Sequence, residues 1–500
     1  MLTIYSATKY HDWLRETIAK EDRLHELIRI VDYLDERPIP QAYSLVIKED
    51  AIFPLIDWRD QLPPYLLGEK LELREANLLG LIFARLDNYE RVYHYLANID
   101  PALNHELDIY NRLSHGLHID LSDLPSSLDF YDEYRLMHNQ AIVRHYGLEE
   151  ADLEQTKYYY LQALETAPTG DHRAFSAKHF GQLLTDLEDI EDATRVFQIG
   201  LASAESEAAK KALGYALAHA RLQTKETLTI AELAVVKDHL WAALKSYEQQ
   251  DRPLETALVL LDATAVCHRE TSWSEGLSYV TRAIGIFEDL GEETLIADAF
   301  MRKGSLLFAW AQDDNPQFYR KAAEALQKAV RTFTRDKHPE VYADLQQQLG
   351  LIYAEIPDDA KKKGMWAAIS STAFQEAMSV CDKATNPQLY AAICNHYGNA
   401  LLKYPQAKLT DNAEKALYYY NEALELRPAT TSAGPRSITL LNYLEAQWQL
   451  GTDEDELDEA RFSDMLQKAE EIIAISPDES LVDQAREHIS RLDLLKTAYA

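Results

Sequence analysis

Glycine and proline are scarce, at 17 each in 500 residues. All-β folds need many turns, so this scarcity argues against them and for long helices with short connections. Cysteine is scarcer still. The three, Cys267, Cys381 and Cys394, are odd in number and far apart; that excludes a disulfide framework and fits a reducing compartment. No apolar run approaches the ~18 residues that a membrane span needs. The opening Met1-Leu-Thr-Ile-Tyr-Ser lacks a basic stretch followed by an apolar one, so no signal peptide is expected and the expected location is cytoplasmic. Basic residues are also in deficit. Lys and Arg number 50 against 82 Asp and Glu, a formal charge of −32. So acidic a surface repels phosphate backbones and anionic membranes, and neither nucleic acid nor a membrane is expected as a partner. It suits a basic peptide or basic protein patch, and it also keeps an elongated chain soluble.

Catalytic motifs are missing as well. There is no Gly-rich phosphate loop followed by Lys-Ser/Thr, no dinucleotide fingerprint, no Cys-x-x-Cys and no Gly-x-Ser-x-Gly elbow. His25-Glu26 and His105-Glu106 lack the second His that a zincin helix carries four residues on. His138 and His145, like His172 and His179, are seven residues apart. That puts each pair on one helical face but about 10.5 Å apart along the axis, too far for one metal. His115 and His118 are close enough to share a metal but have no obvious further ligands. Cys267 precedes His268 directly, and adjacent helical residues point about 100° apart, so they form no dyad. No catalytic residue, cofactor or metal is expected.

What is present is repetition. Tyr158-Tyr-Tyr-Leu-Gln-Ala163-Leu-Glu-Thr-Ala-Pro168 nearly coincides with Tyr418-Tyr-Tyr-Asn-Glu-Ala423-Leu-Glu-Leu-Arg-Pro428. A small residue lets two helices approach closely, an aromatic fills the groove beside it, and Pro ends the helix. Ala283, Ala329, Ala377, Ala423 and Ala469 recur at spacings of 46, 48, 46 and 46. Each follows a bulky residue by three positions: Val280, Leu326, Phe374, Tyr420 and Leu466. Earlier helices carry a bulky residue and then glycine, at Leu349-Gly350 and Tyr397-Gly398, with Lys303-Gly304 a weaker copy. Glycine inside a helix costs about 1 kcal/mol relative to alanine, so its recurrence at one phase implies close helix–helix contact there.

These residues resemble tetratricopeptide repeats: a Leu-Gly pair in a first helix, then Ala, aromatic and Ala in a second, then Pro. The segment 174–200 fits that family's standard period of about 34 residues, with Phe180-Gly181, Ala193, Phe197 and Gly200. Leu79-Gly80 through Tyr89, Leu96 and Pro101 is a degenerate copy. Later repeats run about 12 residues longer than that standard. The extra length lies between the two helices, in Gln312-Asp-Asp-Asn-Pro, Ile356-Pro-Asp-Asp-Ala, Tyr404-Pro-Gln-Ala-Lys and Gly451-Thr-Asp-Glu-Asp. This elongated form resembles repeats that accompany signalling ATPases and caspase-like CHAT proteases in bacteria. The resemblance implies an all-α fold, an α-α superhelix of antiparallel helix pairs. It further implies a non-catalytic scaffold that binds a peptide or partner protein. The alternative it implies is a regulatory or sensor subunit of a bacterial signalling or defence system, with the effector enzyme separately encoded.

Along the chain, residues 1–69 read as an N-terminal helical cap region, with two amphipathic helices over 9–36 ending before Pro38-Ile-Pro40. Residues 40–67, containing Trp58, Pro54, Pro63 and Pro64, are less regular but expected to pack. Degenerate helical repeats follow over 70–135, better repeats over 136–475, and a capping helix over 476–500. Asp120-Leu-Ser-Asp-Leu-Pro-Ser-Ser is the best boundary candidate. The acidic run Asp453–Glu459 reads as a connector and helix start. Binding candidates follow from the repeat phase. The positions that hold a peptide carboxylate in chaperone-binding members correspond to Asn395 and Asn399 around Gly398, and to Gln347 and Leu351 around Gly350; the lysines of that clamp are missing. Of the tyrosine triplets, Tyr160 and Tyr420 take the packing position, which leaves Tyr158, Tyr159, Tyr418 and Tyr419 as candidates for a binding surface.

Overall fold

The protein is described by a computed structural model covering residues 2–33, 44–124, 133–148, 151–224, 227–406, 411–450 and 458–499. Pro38-Ile-Pro40, Pro125–Ser127, Ala407-Lys408 and the connector from Gly451 through residue 457, with most of the acidic run, lie outside the described residues. Two compact units divide the chain, Met1–Ser246 and Tyr247–Ala500. The division falls inside a helix and not at residues 120–135.

The first unit begins with β-structure, which corrects the reading of residues 1–69 as a helical cap. Leu2 and Ile4 are buried and alternate with half-exposed Thr3 and Tyr5, the period of a strand with one face on a core. The strands are β1 (Leu2–Ser6), β2 (Ile28–Asp32), β3 (Ser44–Lys48), β4 (Ala51–Pro54) and β5 (Leu71–Glu72), in the order β2-β1-β3-β4-β5. β1 is parallel to β2 and β3, while β3, β4 and β5 run antiparallel. Parallel neighbours need a crossover, and α1 (His11–Ile18) supplies it between β1 and β2, burying Leu14, Thr17 and Ile18. Of the two helices expected over 9–36, α1 is the one that forms; Ile28-Arg-Ile-Val31 is rich in β-branched residues and pairs along β1 instead.

From Glu75 onward every regular element among the described residues is helical. The first unit continues with α2 (Glu75–Arg85), α3 (Tyr89–Leu96), α4 (Pro101–Ser114), α5 (Glu133–Tyr146), α6 (Leu153–Thr166), α7 (Gly170–Asp186), α8 (Ile190–Ser203), α9 (Glu207–Gln223) and α10 (Ile230–Gln249), the last reaching into the second. The apolar run of α2 covers the sheet: Leu78, Leu79 and Ile82 share one core with Ile4, Leu45, Ile47 and Ile52. The second unit consists of α11 (Pro253–Arg269), α12 (Trp273–Leu290), α13 (Glu293–Gln312), α14 (Tyr319–Val330), α15 (Pro339–Glu355), α16 (Ala360–Val380), α17 (Pro387–Lys403), α18 (Asn412–Glu425), α19 (Ala433–Gln449), α20 (Glu459–Ile475) and α21 (Glu479–Tyr499). Consecutive helices pack as pairs, and each first helix also touches the next first helix: α11, α13, α15, α17, α19 and α21. This is the tetratricopeptide-like arrangement.

The recurrent residues do what their spacing requires. Ala283, Ala329, Ala377, Ala423 and Ala469 are all fully buried. A methyl built on a first-helix glycine would run into the bulky residue of the following helix: Gly304 into Leu326, Gly350 into Phe374, Gly398 into Tyr420 and Gly181 into Phe197. The bulky side chain thus occupies the space that the glycine leaves. At the last repeat Met465 is the buried residue, and Leu466 lies at the edge of the same core. The Asp-rich connectors start helices. Asp359 accepts a hydrogen bond from Lys362 N at 3.0 Å, and Asp458 from Arg461 N at 3.0 Å, satisfying donors that have no partner within the helix.

Candidate functional site

In the second unit the first helices carry a stripe of buried and half-buried polar side chains. On α15, Asp344, Gln348 and Glu355 share one helical face. Ser305 Oγ of α13 donates to Gln348 Oε1 at 2.9 Å, and Gln348 Nε2 donates to Asp344 Oδ2 at 2.7 Å. Burial raises the Asp344 carboxyl above its ordinary range. Lys403 of α17 pairs with Glu355 of α15. Asn442 Nδ2 of α19 donates to Asn395 Oδ1 of α17 at 3.1 Å. Polar rungs therefore tie α13 to α15, α15 to α17, and α17 to α19 along this side.

Asn395 is buried, and its side-chain oxygen is committed to Asn442. Asn399 is half-buried, and its oxygen accepts from Tyr420 Oη at 2.7 Å. Gln347 is buried and Leu351 half-buried. His396 sits between the two asparagines in sequence, and burial lowers its pKa.

The tyrosine candidates lie on second helices. Tyr158 of α6 and Tyr418 of α18 are exposed, at 55% and 59%. Tyr159 is half-buried under Arg144, whose guanidinium lies 4.5 Å from the ring centre. Tyr419 packs 4.6 Å from Tyr397 between ring centres, and burial pushes its hydroxyl up to about 12. Tyr160 and Tyr420 are fully buried. Asn395 and Asn399 thus stand on the first-helix side of the second unit, and Tyr418 and Tyr419 on the helix that follows them.

The polar rungs include Asn395, already a candidate from the repeat phase, together with Gln348 and Asn442, which are not candidates from it. Gln348, Asn395 and Asn442 recur at intervals of 47, an amide at one phase of three successive repeats. This amide period lies beside the glycine and alanine period and is weaker than it, because Gln stands at one of its positions and Asn at the others.

The histidines and cysteines fall into packing roles. His138 of α5 is fully buried: its Nε2 lies 2.9 Å from Pro64 O and its Nδ1 2.8 Å from Ser176 Oγ of α7. The carbonyl can only accept, so Nε2 carries the proton and Nδ1 accepts from the serine. His145 Nδ1 bonds Tyr160 Oη at 2.8 Å, and His179 Nδ1 bonds Tyr146 Oη at 3.1 Å. Desolvation lowers His138 and His145 to about 4 and depresses His179 strongly. His115 pairs with Asp87. Among the described residues no group of three or more His, Cys, Asp or Glu side chains could hold a metal. None of the three cysteines forms a disulfide, and all are buried.

No family model matches the chain, and no curated protein matches it in sequence. Loose structural likenesses exist. Yeast Tom70 is 11% identical over 85% of this chain and 82% of its own, with a TM-score of 0.38. The APC/C hetero-tetramer Cut9–Hcn1 is 14% identical over 83% and 75%, with a TM-score of 0.29. The P58(IPK) TPR domain is 14% identical over 83% and 99%, with a TM-score of 0.22. Overlaps this loose leave the fold resting on the chain's own helix pairs and their glycine–aromatic contacts.

Proposed function

We propose that this protein is a non-catalytic scaffold that binds an extended segment of a partner protein along the first helices of its second unit. The observation that carries the reading is the row of amides and carboxylates on α13, α15, α17 and α19. An extended peptide presents backbone N–H and C=O groups at regular intervals, and side-chain amides can meet both. Asp298, Asp344, Glu355 and Glu445 stand on the same helices, and Arg302, Lys403 and the pair His488 and Arg491 match three of them, so the preference proposed for a basic segment rests on the formal charge of −32 of the whole chain. Asn395 and Asn399 belong to this row; Tyr418 and Tyr419 are proposed to flank it. Tyr158 and Tyr159 are proposed as a second contact on the first unit. No helix among the described residues is long and apolar enough to cross a membrane; the scaffold is proposed to work in the cytoplasm.

The repeat period of 46 to 48 residues favours a narrower second reading. In it the scaffold is the regulatory or sensor subunit of a bacterial signalling or defence system, and a separate chain carries the enzyme.

Affinity capture from the source cells with mass spectrometry tests the scaffold reading. The full chain should recover a stoichiometric protein partner, and a variant with Asn395, Asn399 and Asn442 all changed to Ala should lose it while keeping its helicity. No stoichiometric partner, or one retained by the triple variant, would overturn the assignment. An effector enzyme among the recovered proteins decides for the narrower reading.

A further inference from the structure

A cavity among the described residues belongs to the first unit and to none of the binding elements above. It measures about 330 Å³ and lies between residues 53–69 and the helices α2, α4, α5 and α7. That size falls at the lower end of the range for small-molecule sites.

One wall is the irregular strap that follows β4, and it is clamped in place. Asp57 accepts from the backbone N–H groups of Arg59, Gln61 and Leu62 at 2.9, 2.8 and 2.9 Å. Asn139 of α5 grips Leu66 from both sides, accepting from its N–H at 2.8 Å and donating to its carbonyl at 2.8 Å. His138, the next residue toward the N-terminus, holds Pro64 O. Trp58 packs edge-on against Phe175, with ring centres 5.4 Å apart. A strap anchored at these points spans the gap without collapsing into it, so the space beneath is a constructed feature of the unit.

The lining is aromatic with a cationic side. Trp58, Tyr65, Tyr134 and Phe175 supply apolar faces, and Arg85 and Arg135 supply the charge. Arg135 is already matched by Glu106 in a buried ion pair at 3.4 Å. Arg85 has no such match. Its Nη1 donates to Tyr110 Oη at 2.5 Å, its Nε–H is sealed from solvent without an acceptor, and it makes no ion pair among the described residues. Of the lining carboxylates, Asp57, Asp171 and Glu205 are engaged with backbone, Asp171 accepting from Glu205 N and Ser206 N and Glu205 from Gly170 N, while Glu69 stands out in solvent. A guanidinium with one neutral hydrogen bond, facing an aromatic-walled space, offers a ready fork for a carboxylate.

We propose that this cavity binds a small aromatic carboxylate. The anion pairs with Arg85, and the flat ring lies against the wall of Trp58, Tyr65 and Tyr134. Such a ligand would bridge the strap to the first helices of the repeat array.

Titration calorimetry with two nearly isosteric probes, indole-3-propionate and tryptamine, tests this on the full chain. Indole-3-propionate should bind saturably and tryptamine at least tenfold more weakly. Arg85→Gln should weaken the carboxylate at least tenfold and erase the preference, while Arg85→Lys should keep it. Circular dichroism melting checks that each variant is folded. Should Arg85→Gln fail to fold, Trp58→Phe, which keeps the aromatic wall, should bind the carboxylate with the same preference as the wild type. Saturable binding of neither probe, equal binding of both, or an unchanged preference in folded Arg85→Gln overturns the proposal.

Discussion

Replacing Gly398 by Ala should destabilise the second unit, although alanine is the better helix former. A methyl at 398 would stand 2.4, 2.7 and 2.9 Å from three ring carbons of Tyr420, where carbon atoms normally rest at about 3.5–4.0 Å. The ring has little freedom to retreat, being fully buried and tied at its hydroxyl to Asn399. Overpacking of this kind costs about 1–3 kcal/mol, and three violations against one pinned ring place it in the upper half of that range. The gain in helix propensity returns about 1 kcal/mol. The net loss is about 1–2 kcal/mol, which in a unit of this size lowers the midpoint by about 2–4 °C for each kcal/mol. Gly285 in α12 is the control, because a methyl there meets nothing within 4 Å, and Gly285→Ala should stabilise by about 1 kcal/mol. Thermal melts followed by circular dichroism, with hydrogen exchange on α17 and α18 to isolate the second unit, measure both. Adding Tyr420→Leu to Gly398→Ala should show a favourable coupling energy relative to the single variants. If Gly398→Ala matches the wild type, or if the two alanine variants shift the same way, glycine is not there to admit the aromatic ring and the packing argument fails.

Acid should weaken the first unit through its buried histidines. His138 and His145 titrate at about 4 in the fold against 6.5 when exposed. Between those values the unfolded chain binds protons that the folded chain does not, so stability falls as pH drops from about 6.5 to 4 and levels off below. The full shift corresponds to roughly 3 kcal/mol for each group. Urea unfolding at pH 7 and pH 5 should show the loss, His138→Gln should reduce its slope, and a flat profile would contradict the burial argument. Asn139→Ala removes both bonds that grip Leu66, worth about 2 kcal/mol together. It should speed tryptic cleavage after Arg59, and an unchanged cleavage rate would show that the strap is held elsewhere.

The helical array was legible because its signal is steric. Gly398 and Tyr420 are 22 positions apart in sequence and in contact in the fold, and the same pairing at Gly350 and Phe374 repeats it, so one physical demand is written several times. The sheet is written once, in strands of two to five residues. Its hairpin hid further. β3 and β4 join through Glu49 and Asp50, which have φ of 51° and 55°. Two positive values in a two-residue loop ordinarily call for Asn or Gly, and Glu-Asp gives no such cue. The strand β2 lies at the sheet's edge with Ile28, Ile30 and Val31 all half-buried, so it lacks the clean alternation that betrays β1. The cavity was invisible for a different reason: Trp58, Arg85 and Tyr134 come from separate segments, and no spacing along the chain encodes their convergence.

The proposed binding row and the packing lock meet at one hydrogen bond. Tyr420 fills the space beside Gly398 and, through its hydroxyl, holds the oxygen of Asn399. That leaves the amide nitrogen of Asn399 as the group free to be aimed, because the oxygen side is fixed. Tyr420→Phe keeps the ring and the close packing and removes only the donor, at a cost of about 1 kcal/mol. If Asn399 serves the partner, the freed carboxamide must now lose rotamer freedom on binding, and one of its two orientations presents oxygen where nitrogen was needed. Partner capture by Tyr420→Phe should therefore fall toward the level of Asn399→Ala, although position 420 is buried and touches no partner. Undiminished capture by the folded phenylalanine variant would mean that Asn399 is a packing residue alone, and that the binding surface must be sought on the exposed rings of Tyr158 and Tyr418.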